Sequence, residues 1–109
     1  MNRLELSGRL LELGTLRHTP GGLAAIDFKV VHESEQDEAG GRRKVSAEIA
    51  AVAFEAQARL LAVRPLGAEL KLQGFLAAKS RRSKRLILHV TNIEFSQGKE
   101  TQDAPAPQR

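Results

Sequence analysis

Apolar and polar side chains alternate along most of this chain, and where the alternation breaks or changes period an element ends. In "RLELSGRLLE" (residues 3–12), Leu4, Leu6, Gly8 and Leu10 fall on one side, and Arg3, Glu5, Ser7 and Arg9 on the other. A period of two is that of a half-buried strand. Pro20-Gly21-Gly22 marks a turn. Beyond it Ile26, Phe28 and Val30 alternate against Asp27, Lys29 and Val31, giving a second strand. "SEQDEAGG" (34–41) is polar on both faces and ends in two glycines, so it reads as an exposed, mobile loop. A third strand then points Val45, Ala47, Ile49 and Ala51 inward and Lys44, Ser46 and Glu48 outward.

The period lengthens at residue 53. "AFEAQARLLA" consists mainly of good helix formers, and Phe54, Ala58 and Leu61 share one helical face at i, i+4, i+7. Pro65 and Gly67 stop the helix. Alternation then returns, with Leu70, Leu72, Gly74 and Leu76 against Lys71, Gln73, Phe75 and Lys79. After a basic loop, Leu88 and Val90 are followed by Ile93 and Phe95, a change of register that predicts a bulge between Val90 and Ile93. The order of three strands, a short helix and two strands predicts an all-β domain: a five-stranded OB-fold, a Greek-key barrel with its helix between strands 3 and 4. Gly8 and Gly74 sit inside strands, where a small barrel must bend. An SH3-like barrel lacks the helix, and a ferredoxin-like domain needs two. Residues 1–96 form the domain, and residues 97–109, which have little apolar content beyond alanine, are expected to be a disordered tail.

Composition narrows the function. The chain has 109 residues, enough for one domain, with 41% hydrophobic residues for a core and 28% charged residues for a solvated surface. It has no cysteine, hence no disulfide or thiolate metal site. His18, His32 and His89 are scattered without ligand spacing, so neither a metal nor a cofactor is expected. Arg3 and Glu5 interrupt any signal peptide, and no apolar run nears the roughly 20 residues of a membrane span, so a cytoplasmic, membrane-free protein is expected.

The net charge is +4, and its placement is more telling than its size. Acids gather at Glu33, Glu35, Asp37 and Glu38, whereas bases gather at Arg42, Arg43 and Lys44 and again in "KSRRSKR" (79–85), where five of seven residues are cationic. Such segregation is a field directed at a partner, commonly a polyanion; the alternative is a solvated loop. No Ser–His–acid group or inward carboxylate pair is evident, so an enzyme is not expected. Gly21-Gly22 is too short for a phosphate-cradling loop. In an OB-fold the binding surface is the face of strands 2 and 3 with the loops joining strands 1–2 and 4–5. Candidate nucleic-acid contacts are therefore Arg17 in the first loop, Lys29, Arg42 and Lys44 on the face, and Lys79, Arg81, Arg82, Lys84 and Arg85 on a flexible finger that clamps phosphates. Phe75 turns outward, to stack a base or to pack at an interface, while Phe28, Phe54 and Phe95 read as core and His89 as an edge-strand residue. The acidic run reads as solvated or as a docking patch. Two rival functions stay open: a protein–protein adaptor with incidental DNA contact, and a housekeeping single-stranded DNA-binding protein. The second is disfavoured because the "APAPQR" ending does not resemble the acidic, apolar tip of that protein's family.

"NRLELSG", "QDEAG", "LQGF" before the finger and "LILHVTNIE" after it resemble, in order and spacing, the primosomal replication protein N (PriB) family, over Asn2 to about Ser96. The resemblance implies a homodimeric OB-fold, related to bacterial single-stranded DNA-binding protein, that binds single-stranded DNA. It also implies action at stalled forks in the replication restart primosome by assisting the PriA helicase. Further implied partners are DnaT and the single-stranded DNA-binding protein, and the implied location is the cytoplasm, at nucleoid-associated forks. The family's DNA-contacting finger falls on Lys79, Arg81, Arg82, Lys84 and Arg85, and Arg17 matches its first-loop basic residue. Family members carry aromatics near the positions of Gly41 and Ser46. This chain does not, and it has no Trp or Tyr, so a mostly electrostatic contact is expected.

Overall fold

In the computed structural model, which describes residues 1–96, every alternating run is a strand. The expected tail at 97–109 lies outside the described residues. The elements are β1 (Leu4–Leu13), β2 (Arg17–His18), β3 (Ala24–Glu38), β4 (Gly41–Phe54), α1 (Ala56–Ala62), β5 (Glu69–Ala78) and β6 (Leu86–Phe95). Strand order is β1-β5-β6-β4-β3-β2, and β1 also pairs with β3. That second pairing closes β1, β5, β6, β4 and β3 into a five-stranded barrel and leaves the two-residue β2 as an addition to β3. The neighbours β4 and β6 run parallel over Ala51–Ala53 and Leu88–Val90; every other pairing is antiparallel. The fold is the OB-fold, with its helix between the third and fourth barrel strands.

The inward residues of the alternation build the core: Leu10, Ile26, Phe28, Val30, Leu72 and Leu88 are buried, joined by Ala58 and Leu61 from α1, which caps one end. Burying a Leu61-sized side chain stabilises by about 1.5–3 kcal/mol. Entry to α1 turns at Glu55, whose φ of +53° is unusual for a residue with a side chain. Its carboxylate accepts the Ala24 backbone N–H, while its own N–H donates to the Ala24 carbonyl at 2.8 Å. The first of these bonds holds the carboxyl below the usual carboxylate range.

Both strand glycines mark close crossings of the backbone. A Cβ at Gly74 would lie 2.0 Å from the His89 carbonyl oxygen, and one at Gly8 would lie 2.6 Å from that of Val31. The predicted bulge is present: Gln73 faces Asn92 but Gly74 faces Val90, leaving Thr91 as the extra residue, with its hydroxyl bonded to the Gln73 carbonyl. Among the described residues no helix is long and apolar enough to cross a membrane.

The region read as a loop, 34–41, is instead the end of a long hairpin arm. β3 and β4 stay in register out to Glu38 opposite Gly41, and Ala39 and Gly40 turn the chain at φ +54° and +82°. Positive φ at both turn residues is the signature of a two-residue type I′ hairpin. Both faces of the arm's tip are polar, which erases the hydrophobic alternation but not the ladder. Opposite charges across the strands replace it. Arg42 donates to Glu35 at 2.8 Å and to Asp37 at 3.2 Å, and Arg43 donates to Glu38 at 2.7 Å. At the arm's base His32 Nδ1–H donates to the Ser7 carbonyl at 2.7 Å, which fixes the tautomer and lets Nε2 accept from the Ser34 hydroxyl at 2.8 Å.

Candidate nucleic-acid interface

The finger is the turn between β5 and β6. The Lys79 N–H donates to the Arg85 carbonyl at 2.8 Å and closes it. Inside, the Ser80 hydroxyl oxygen accepts the backbone N–H groups of Arg82 and Ser83 at 3.2 and 3.1 Å, and the Ser83 hydroxyl accepts that of Arg85 at 3.3 Å. The two serines spend their side chains on the backbone of the turn. Lys79, Arg81, Arg82, Lys84 and Arg85 are all exposed, and none forms an ion pair among the described residues. A flexible finger was the expectation; the turn carries its own hydrogen bonds and leaves its basic side chains exposed.

Lys79 and Arg85, at the base of the finger, border a cleft of about 490 Å³ that opens on the outer face of β4 and β6. Arg17, Asp27, Phe54 and His89 line it with them. Arg17 gives Nε and Nη2 to the two carboxylate oxygens of Asp27, each at 3.1 Å. Hydrogen bonding to Asp27, then its charge, raises the Arg17 pKa further above its already high value. Of the nine candidate cations, Arg17, Lys79 and Arg85 thus share one cleft, and Arg81, Arg82 and Lys84 are exposed on the finger whose base borders it. Three do not join them. Lys29 approaches Glu12 at 3.9 Å; Arg42 is held on the arm by Glu35 and then Asp37, which raise its pKa; and Lys44 borders a separate hollow with Glu33 and Glu35. The expectation that the arm's acids and bases are segregated is corrected. They are apart in sequence and opposite each other in the ladder.

Sequence reasoning missed two cleft residues. Phe54, read as core on a helical face, is the last residue of β4 and is only half-buried; His89, read as lying on an edge strand, is on β6 between β5 and β4. His89 stacks between two rings, with Phe75 at 5.1 Å between centroids and 12° between planes, and Phe54 at 6.2 Å and 26°. Phe75 is 40% exposed at the outer end of this ladder. The signal was available. With Ala51 and Ala53 inward, Phe54 must turn outward, and Phe75, already read as outward, lies directly across from His89. The helical spacing of Phe54 with Ala58 and Leu61 concealed it. No group of three or more His, Asp or Glu that could hold a metal occurs among the described residues.

A cationic rim over an aromatic floor is an arrangement that grips phosphates and offers rings to bases. The family described as "Another single-strand binding protein family" matches residues 2–92. The replication restart protein PriB of Bordetella pertussis is 52% identical over 90 residues, covering 83% of this chain and 84% of the relative. That of Nitrosomonas europaea is 37% identical over 94 residues, covering 86% and 87%. The solved structure of priB from Ralstonia solanacearum superposes with a TM-score of 0.77 at 28% identity, covering 88% of this chain and 99% of that one. By its matching residues, its barrel and these relatives, the chain belongs to this single-strand binding protein family and, within it, to the replication restart proteins PriB.

Proposed function

We propose that this protein binds single-stranded DNA as an accessory of the replication restart primosome, assisting the PriA helicase at stalled forks in the cytoplasm. The observation that carries the reading is the cleft: cations without partners on its rim, stacked rings on its floor, and no other described surface that combines the two. The backbone of a single strand lies along Lys79, Arg85 and the tip of the finger. Its phosphates relieve the mutual repulsion of the finger's charges, and its bases turn to Phe75, His89 and Phe54. A duplex cannot follow this path, because its bases are stacked on each other. DnaT and the single-stranded DNA-binding protein are the further partners this role calls for. Single-stranded DNA titrated across a salt series tests the reading. With about four phosphates neutralised, log K should fall against log salt with a slope near −3, at roughly 0.7 per contact. An affinity indifferent to salt overturns it. Loss of helicase stimulation alongside DNA binding links the two activities.

We also propose a homodimer. Ahead of Ala51, where β6 joins, β4 pairs only with β3, and beyond Val31 β3 pairs only with β4, so both edges of the arm are left open to a second copy. Sedimentation equilibrium at micromolar concentration should give twice the chain mass, and a monomer there sinks the idea.

A further inference from the structure

Three cations border the cleft and one carboxylate does, Asp27. The Nε and Nη2 of Arg17 meet its two oxygens side by side, which is also how a guanidinium takes a phosphate. Asp27 therefore sits on the face of Arg17 best suited to the DNA backbone. The pair does little for the fold. Its side chains are 48% and 64% exposed, and pairs so exposed contribute little to stability. Nor can Asp27 move out of the way with its strand. Its main chain lies in the β3–β4 ladder opposite Val52, and its carbonyl accepts the Gly14 N–H at 2.8 Å. Gly14 is packed so closely that a Cβ there would stand 2.9 Å from that oxygen. A phosphate arriving at the Nε–Nη2 edge of Arg17 must displace the carboxylate and then remain beside it.

Resting on the nucleic-acid reading above, we infer that Asp27 is a built-in competitor for DNA phosphate, masking Arg17 and setting an upper limit on affinity at this cleft. The finger binds first because its cations are unmasked, and Arg17 joins only where the local phosphate concentration outcompetes a fixed carboxylate. The neutral variant Asp27→Asn should tighten single-stranded DNA binding by roughly three- to tenfold and steepen the salt slope by about 0.7, the share of one added phosphate contact. Asp27→Ser should do the same, since the effect comes from losing the charge. In an Arg17→Ala background Asp27→Asn should change affinity by less than about twofold, because no masked cation remains to be released. Two results overturn the inference. One is no tightening in either variant while the wild type binds normally; the other is equal tightening with and without Arg17, which reduces Asp27 to a general charge effect. If the wild type and all variants fail to bind at low salt, the nucleic-acid reading itself falls, and that failure is distinct from the other two.

Discussion

Two hairpins carry basic residues out of this barrel. The arm at the tips of β3 and β4 holds Arg42, Arg43 and Lys44, and the finger between β5 and β6 holds five cations in seven positions. In the arm the chain folds an acidic run directly onto the basic one, so Arg42 and Arg43 spend their guanidinium groups on Glu35, Asp37 and Glu38. In the finger no acid lies opposite, and the serines at 80 and 83 bond to backbone rather than to charge. A cation already paired must exchange a carboxylate for a phosphate, which gains little; an unpaired one releases counterions and gains the full contact. The net charge makes the same point. With +4 overall and +5 in the finger, everything else sums to −1, so the finger accounts for the whole basic character of the molecule.

The test with the largest expected effect removes the finger's charge. Changing Arg81, Arg82, Lys84 and Arg85 together to Ala should weaken single-stranded DNA binding by at least about tenfold and flatten the salt slope, since each phosphate contact contributes about 0.7 to it. The fold should survive, because the turn is closed by Lys79 and Arg85 main-chain atoms and by Ser80 and Ser83, all untouched by side-chain truncation. A melting curve unchanged within a few degrees confirms that. Should this variant bind DNA normally but fail to stimulate the helicase, the finger is a protein-docking site and the adaptor function replaces the one proposed.

A smaller effect is expected from the ring ladder that starts in the cleft at Phe54 and His89 and ends at Phe75. Phe75→Ala removes the exposed end of the ring ladder and should weaken binding by about 1 kcal/mol, roughly fivefold, the low end of the range for one stacked base. The salt slope should stay the same, because no charge is lost. If the slope flattens while the affinity holds, Phe75 serves to position the finger rather than to meet bases.

How far the sequence revealed this arrangement depends on which physical signal each part uses. The barrel was legible because its core strands alternate strictly, and even the bulge at Thr91 showed as a slip between Val90 and Ile93. The arm was not legible as strand. Polar residues on both faces remove the periodicity on which such reading depends, and the positive φ of Ala39 cannot be inferred from an alanine. The finger's five cations stand out in any reading of the chain. Whether a cation is free does not, since the partners of Arg17 and Arg42 are set by register, and register is a property of the fold. Phe54 belonged to two periodic patterns at once, strand and helix, and the longer pattern took precedence over the correct one.

The smallest expected effect comes from the arm. Arg42→Ala with Arg43→Ala removes as many cations as half of the finger test, yet it should change single-stranded DNA affinity by less than about twofold, since both guanidinium groups already have carboxylate partners. Stability should fall by no more than about 1 kcal/mol per exposed pair, as the ladder's backbone bonds remain. The reverse change sharpens the contrast. Replacing Glu35, Asp37 and Glu38 with Gln, Asn and Gln leaves Arg42 and Arg43 without their carboxylates and turns the arm into a second finger. It should then bind DNA more tightly than the wild type, with a slope steeper by about 0.7 for each phosphate gained. If the arginine variant loses as much binding as the finger variant does, pairing in the arm gives way to DNA at no cost, and the distinction between the two hairpins disappears.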